Sequence, residues 1–209
     1  MELQRLDTPE GFLRISWYLA DTDCLGPDRR FALWVQGCRK SCKGCIAVPL
    51  QDVRGGELVP IRTLAERIAQ TQGIEGLSIS GGEPFLQASG LAALLHEVRK
   101  QRPELGVIVY TGMLYEELTG SDMPDVRAFL AEIDLLVDGA YVQELDDGKA
   151  MRGSSNQRLL FLTARYDAGM LPQKRKNRII MERGSFRMVG IPSNGARLLA
   201  DTLRQPDKE

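Results

Sequence analysis

No apolar stretch in these 209 residues approaches the length of a bilayer span; the longest, such as residues 31–35, stop after a few positions. Twenty-seven basic side chains nearly cancel twenty-eight acidic ones, leaving a net charge of −1. No global positive field therefore draws the chain toward nucleic acid or an anionic membrane. The first nine residues are polar and lack the basic-then-apolar layout of a signal peptide, so a cytoplasmic location is expected. Repeats, low-complexity tracts and long Pro/Ser linkers are also missing. The simplest organisation is one domain over residues 1–209, with a core at about 30–165 and a C-terminal extension over 166–209. The hydrophobic share of 43% is enough for an ordinary globular core. Cysteine is scarce, at four, yet three of the four fall within residues 38–45. Without a secretion signal, such crowding reads as metal binding and not as a disulfide framework.

The apolar periodicity alternates between two kinds of element. Residues 31–36 form a short apolar run ending at Gly37, the pattern of a buried strand. Pro60 opens a helical pattern with Ile61, Leu64, Ala65 and Ile68 on one face. Residues 74–80 read as a strand broken by Gly81 and Gly82, and 86–102 as a helix with Leu91, Leu94, Leu95 and Val98 inward. A third strand at 106–110 closes on Thr111-Gly112. A helix at 125–132 precedes a fourth strand at 135–137, ending at Asp138-Gly139. This alternation predicts an α/β fold with a mostly parallel sheet, open or curled into a partial barrel. Further on, 158–163, 178–181 and 186–189 read as strands and 194–204 as a closing helix. The polar and glycine-rich motifs follow strand C-termini, the edge where parallel α/β proteins bind ligands, which predicts one shared site.

Cys38, Cys42 and Cys45 have the spacing C-x3-C-x2-C. A compact loop of this kind can wrap three thiolates around an iron–sulfur cube and leave one iron open to a small molecule. Structural zinc, with Cys24 or His96 as fourth ligand, is the competing reading of the loop alone. His96 lies amid apolar residues of the predicted helix, where a lone histidine is most often partly buried and hydrogen-bonded. Cys24 stands apart as a thiol with no assigned role. Lys40 and Lys43 flank the ligands, either as charge that favours a reduced cluster or as a solvated basic loop. One strand and helix later, Ser80-Gly81-Gly82-Glu83-Pro84 forms a tight turn. Its two glycines allow close backbone approach or positive φ, and its carbonyls and Glu83 suit an ammonium group.

With these two motifs the sequence resembles the radical S-adenosylmethionine (SAM) superfamily, and within it the activating enzymes of anaerobic ribonucleotide reductase and related glycyl-radical activases. The second resemblance is carried by 34–38, 43–45, 110–112, 136–139, 152–158 and 190–192, over roughly residues 11–195. It implies a partial (β/α) barrel of radical SAM type. It further implies a 4Fe-4S cluster on Cys38, Cys42 and Cys45, and SAM held by Ser80, Gly81, Gly82 and Glu83. Thr111 and Gly112 would lie near its ribose or adenine. Asn156, Gln157 and Arg158 are candidates for its carboxylate, and Asp138 is the candidate catalytic residue near SAM and substrate. Reductive cleavage of SAM would make a 5′-deoxyadenosyl radical, with flavodoxin or ferredoxin as external electron donor and a glycyl-radical enzyme as partner. The alternative within the superfamily is modification of a small molecule or peptide; a non-catalytic iron–sulfur protein would need the cluster but not the SAM motifs. Two features depart from the activases: Ile46 after the last cysteine, and the basic stretch Lys174, Arg175, Lys176 and Arg178.

Overall fold

The computed structural model describes residues 5–182, 185–193 and 196. Its main sheet has seven strands in the order β3-β1-β2-β4-β5-β6-β7. These are β1 (Phe12–Thr22), β2 (Arg30–Val35), β3 (Glu57–Pro60), β4 (Gly76–Gly81), β5 (Gly106–Tyr110), β6 (Leu135–Asp138) and β7 (Arg158–Phe161). The central four, β2, β4, β5 and β6, are mutually parallel. The strands outside them run antiparallel: β1 to β2, β3 to β1 and β7 to β6. The sheet is thus α/β and mixed, with its parallel part confined to the centre. A separate antiparallel hairpin pairs β8 (Arg178–Glu182) with β9 (Ser185–Val189).

Helices α1 (Ile61–Gln70), α2 (Ala88–Gln101) and α4 (Pro124–Ala131) cover one face of the sheet; α3 (Tyr115–Thr119) is a short turn of helix after β5. On α1 the buried side chains are Ile61, Leu64, Ala65 and Ile68, and on α2 they include Leu91, Leu94, Leu95 and Val98. These are the stripes expected from a 3.6-residue period. They pack on Phe31, Leu33, Val35, Leu77, Ile79, Val107 and Val109, the alternate side chains of the central strands. The other side chains of those strands, among them Trp34 and Ile108, pack against the loops and the hairpin.

Two strands escape the periodicity. In β1 the register shifts between Ile15 and Trp17. Leu13 and Ile15 therefore face the helices, whereas Trp17 and Leu19 join the core on the opposite face. A bulge of this kind breaks the two-residue repeat that marks a strand. β3 is a four-residue edge strand, mostly exposed, so it carries no apolar signature. The expected helix at 194–204 lies, but for residue 196, outside the described residues.

Candidate functional site

The cysteine loop begins where β2 ends. Gly37 takes φ +94°, and its N–H donates to Leu50 O at 2.8 Å, while the Cys38 N–H donates to Gln51 O at 3.1 Å. These bonds close the base of the loop. Gln36 reinforces it, donating from Nε2 to Pro49 O and Asp52 O at 3.2 and 2.9 Å. All four cysteines are free. Cys38 Sγ accepts from the Lys40 N–H and Cys45 Sγ from the Ala47 N–H, both at 3.4 Å. Backbone N–H bonds to sulfur are among the levers that set an iron–sulfur potential. Burial pushes the free Cys38 thiol up to about 11.

Cys38, Cys42 and Cys45 line one cavity of about 180 Å³ together with Ser80, Gly81, Gly82, Glu83, Thr111 and Gly112. The gathering follows from the parallel register. Trp34 pairs with Ser80 and Val35 with Gly81, so the loop after β2 and the turn after β4 leave the sheet side by side. Their backbones touch beyond the strands: the Gly82 N–H donates to Val35 O and the Glu83 N–H to Gly37 O, both at 2.8 Å. Gly81 has φ +108°, as the turn requires. A Cβ on Gly82 would lie 2.2 Å from Gly37 O, so this glycine allows a close approach between two backbones.

Glu83 is turned into the protein, with only 3% of its surface exposed. Its carboxylate accepts from Thr111 Oγ1 at 2.6 Å, from the Gly112 N–H at 2.8 Å and from the Phe85 N–H at 3.1 Å. Burial raises its pKa, and the Thr111 and backbone hydrogen bonds oppose that rise. The side chain ties the end of β5 to the turn after β4, which holds Thr111 and Gly112 at the cavity.

Three free thiols on one cavity beside a glycine-rich turn form a donor set that fits a cluster bound through three cysteines. A sequence profile of the 4Fe-4S single cluster domain family matches residues 24–160 of this chain. The chain belongs to that family. It is also similar to proteins named anaerobic ribonucleoside-triphosphate reductase-activating protein. That of Enterobacteria phage T4 is 32% identical over 139 residues, covering 64% of this chain and 85% of the relative. That of Vibrio cholerae serotype O1 is 34% identical over 139 residues, covering 63% and 87%. That of Escherichia coli strain K12 is 33% identical over 142 residues, covering 63% and 88%.

Within this 4Fe-4S domain the remaining candidates divide. Gln157 lines the cavity. Its Oε1 accepts from the Gly153 N–H at 2.7 Å and its Nε2 donates to Gly139 O at 2.8 Å. Asp138, Asn156 and Arg158 are not part of the cavity lining. Asp138 is fully buried; Oδ2 accepts from the Tyr115 N–H at 2.8 Å, and Arg158 pairs with both oxygens. The antiparallel register sets Asp138 opposite Arg158. Asn156 Nδ2 donates to Ala140 O at 2.8 Å. These three side chains hold the loops behind the cavity.

The alternative zinc ligands are elsewhere: His96 is exposed on α2, against the expectation of partial burial, and Cys24 does not line the cavity. Among the described residues, no three His, Cys, Asp or Glu side chains are placed to hold a single metal ion. The basic stretch is partly internal. Arg175 pairs with Asp146 at 2.7 Å with only 4% of its side chain exposed.

Sequence reasoning did not foresee the apolar walls. Trp34, stacked on Trp17 at 4.0 Å, lines the cavity, as do Leu25, Tyr110 and Ile191. The signal available was that Trp34 and Tyr110 alternate with the helix-facing residues of β2 and β5 and so face the other way. Leu25 and Ile191 lie in irregular segments and carried no such signal.

Proposed function

We propose that this 4Fe-4S domain is a radical SAM enzyme whose partner is a glycyl-radical enzyme such as anaerobic ribonucleotide reductase. The observation that carries this reading is the single cavity shared by Cys38, Cys42, Cys45, Ser80–Glu83 and Thr111–Gly112 at the C-terminal ends of parallel strands. Three thiolates leave one iron of a cube without a protein ligand, and SAM is the group proposed to fill that position. When bound, the cluster and SAM supply the one-electron chemistry that produces a 5′-deoxyadenosyl radical.

The chain's own residues do the rest. Cys38, Cys42 and Cys45 hold the cluster. Ser80, Gly81 and Gly82 offer a turn of bare backbone for the amino end of SAM, and Glu83 holds Thr111 and Gly112 in place for its nucleoside end. Trp34, Tyr110 and Ile191 give apolar walls that exclude water. Gln157 is the candidate for a polar contact to SAM. Asp138, Asn156 and Arg158 act as positioning residues behind it, in place of the direct roles that the resemblance suggests for them. The sheet is taken to be the partial barrel of the superfamily, in one domain. The electron donor is taken to be a flavodoxin or ferredoxin. The names of the relatives support the partner.

Anaerobic reconstitution of the full chain tests both layers. About four irons per chain are expected, lost in Cys38→Ala, Cys42→Ala or Cys45→Ala and kept in Cys24→Ala. With reductant and SAM the loaded protein should form 5′-deoxyadenosine and raise a glycyl doublet on the reductase by electron paramagnetic resonance. Turnover of a free metabolite or peptide without that doublet would reject the partner and keep the radical SAM chemistry. A loaded cluster that never cleaves SAM would reject both.

A further inference from the structure

The two lysines that flank the cysteine ligands in sequence are parted by the fold. Lys43 stands outside, exposed, with Nζ 2.9 Å from Glu144. Lys40 lines the cavity with the three cysteines. Its side chain crosses from the cysteine loop to the end of β5, where Cδ and Cε lie 2.8 and 3.2 Å from the point that a Cβ on Gly112 would occupy. The missing side chain of Gly112 leaves the space this lysine uses. Among the described residues, Lys40 and Glu83 are the only charged side chains in the cavity lining. Glu83 is engaged by three hydrogen-bond donors and is also reached by the Lys40 charge, although Lys40 forms no salt bridge among the described residues.

We infer that Lys40 sets the reduction potential of the cluster, and that Lys43 does not. Adding an electron to an iron–sulfur cube adds negative charge, and net charge nearby is one of the protein's controls on its potential. An ammonium in a half-buried cavity wall favours the reduced state, because its field passes through protein more than through water. Lys43 is paired and lies in solvent, where counter-ions screen it. The inference rests on the 4Fe-4S domain and not on the proposed SAM chemistry.

The test is a SAM-free anaerobic redox titration of the reconstituted full chain, followed by electron paramagnetic resonance of the reduced cluster. Lys40→Met should shift the midpoint to a more negative potential. Lys40→Arg should hold the wild-type value, and Lys43→Met should leave it unchanged. Equal midpoints for wild type and Lys40→Met would overturn the inference, as would an equal shift in Lys43→Met. The midpoint belongs to the loaded fraction, so partial loading leaves the comparison intact. Loss of the cluster in Lys40→Met, Lys40→Gln and Lys40→Arg alike would make Lys40 a scaffold residue and overturn it too. A normal titration in a protein that cannot cleave SAM would reject the proposed function and leave the Lys40 result standing.

Discussion

Gly82 meets the backbone of Gly37, one residue before Cys38, with no room for a methyl group between them. The contact is between protein segments, so a side chain there strikes the cysteine loop before it reaches any ligand. Gly82→Ala should cost about 2 kcal/mol by forcing the two loops apart. Iron and sulfide per chain should fall together with SAM affinity; full cluster content with SAM affinity alone reduced would place the strain on the ligand side. The histidine reading fails at this scale for a simple reason. His96 follows Leu94 and Leu95 in sequence, but the next residue round a helix points elsewhere, and here it points to solvent.

Between elements, two arginines tie together segments that are far apart in the chain. Arg175 donates to Lys149 O, Arg152 O and Pro192 O at 2.8–2.9 Å and pairs with Asp146, so one side chain links three segments beside the hairpin. Arg175→Met leaves Asp146 and the three carbonyls without this partner, and a loss of about 3 kcal/mol in chemical denaturation is expected. Amide exchange should quicken at Gly190 and Ile191, which wall the cavity. Arg158 binds α3 to the sheet through Glu116 and Asp138. Its hydrogen bonds hold the exposed Glu116 carboxyl down at about 2, against an ordinary 4.5. The stability this pair supplies is present above pH 4.5 and is lost as pH falls from there toward 2. Glu116→Gln should therefore lower stability by a constant amount above pH 4.5 and remove part of the acid dependence of unfolding between there and pH 2.

Across the whole molecule the sheet is joined by a cation that no motif announces. Arg30 is fully buried and donates to Ser78 Oγ at 2.7 Å, Tyr166 Oη at 2.9 Å, Leu77 O at 2.9 Å and Gly106 O at 2.8 Å. It connects β2, β4 and β5 to the segment that follows β7. Arg30→Met should lower stability by about 3 kcal/mol, because the acceptors stay buried without their donor. The midpoint of urea unfolding should drop with an unchanged slope. From the sequence, Arg30 is only the basic residue before an apolar run; its burial depends on what the distant Tyr166 and Gly106 bring to it.

The central strands and their helices were legible because each buries one face against its neighbour, and a single buried face writes its period into the residues. The cysteine loop and the glycine turn were legible because thiolate spacing and paired glycines serve local geometry. β1 was not, since its bulge moves the apolar residues from one face to the other in mid-strand. The direction of β7 was not, since apolar composition is the same for parallel and antiparallel pairing. The sequence by itself determined the three thiols, the turn that follows β4 and the parallel centre of the sheet, all set by residues close together in the chain. Only the tertiary structure decided that Lys40 enters the cavity while Lys43 leaves it, that Glu83 binds the β5 end, and that Asp138 and Arg158 pair behind the site. Each of those outcomes depends on which atoms from distant segments arrive within hydrogen-bonding or Coulombic reach, and no spacing along the chain encodes that.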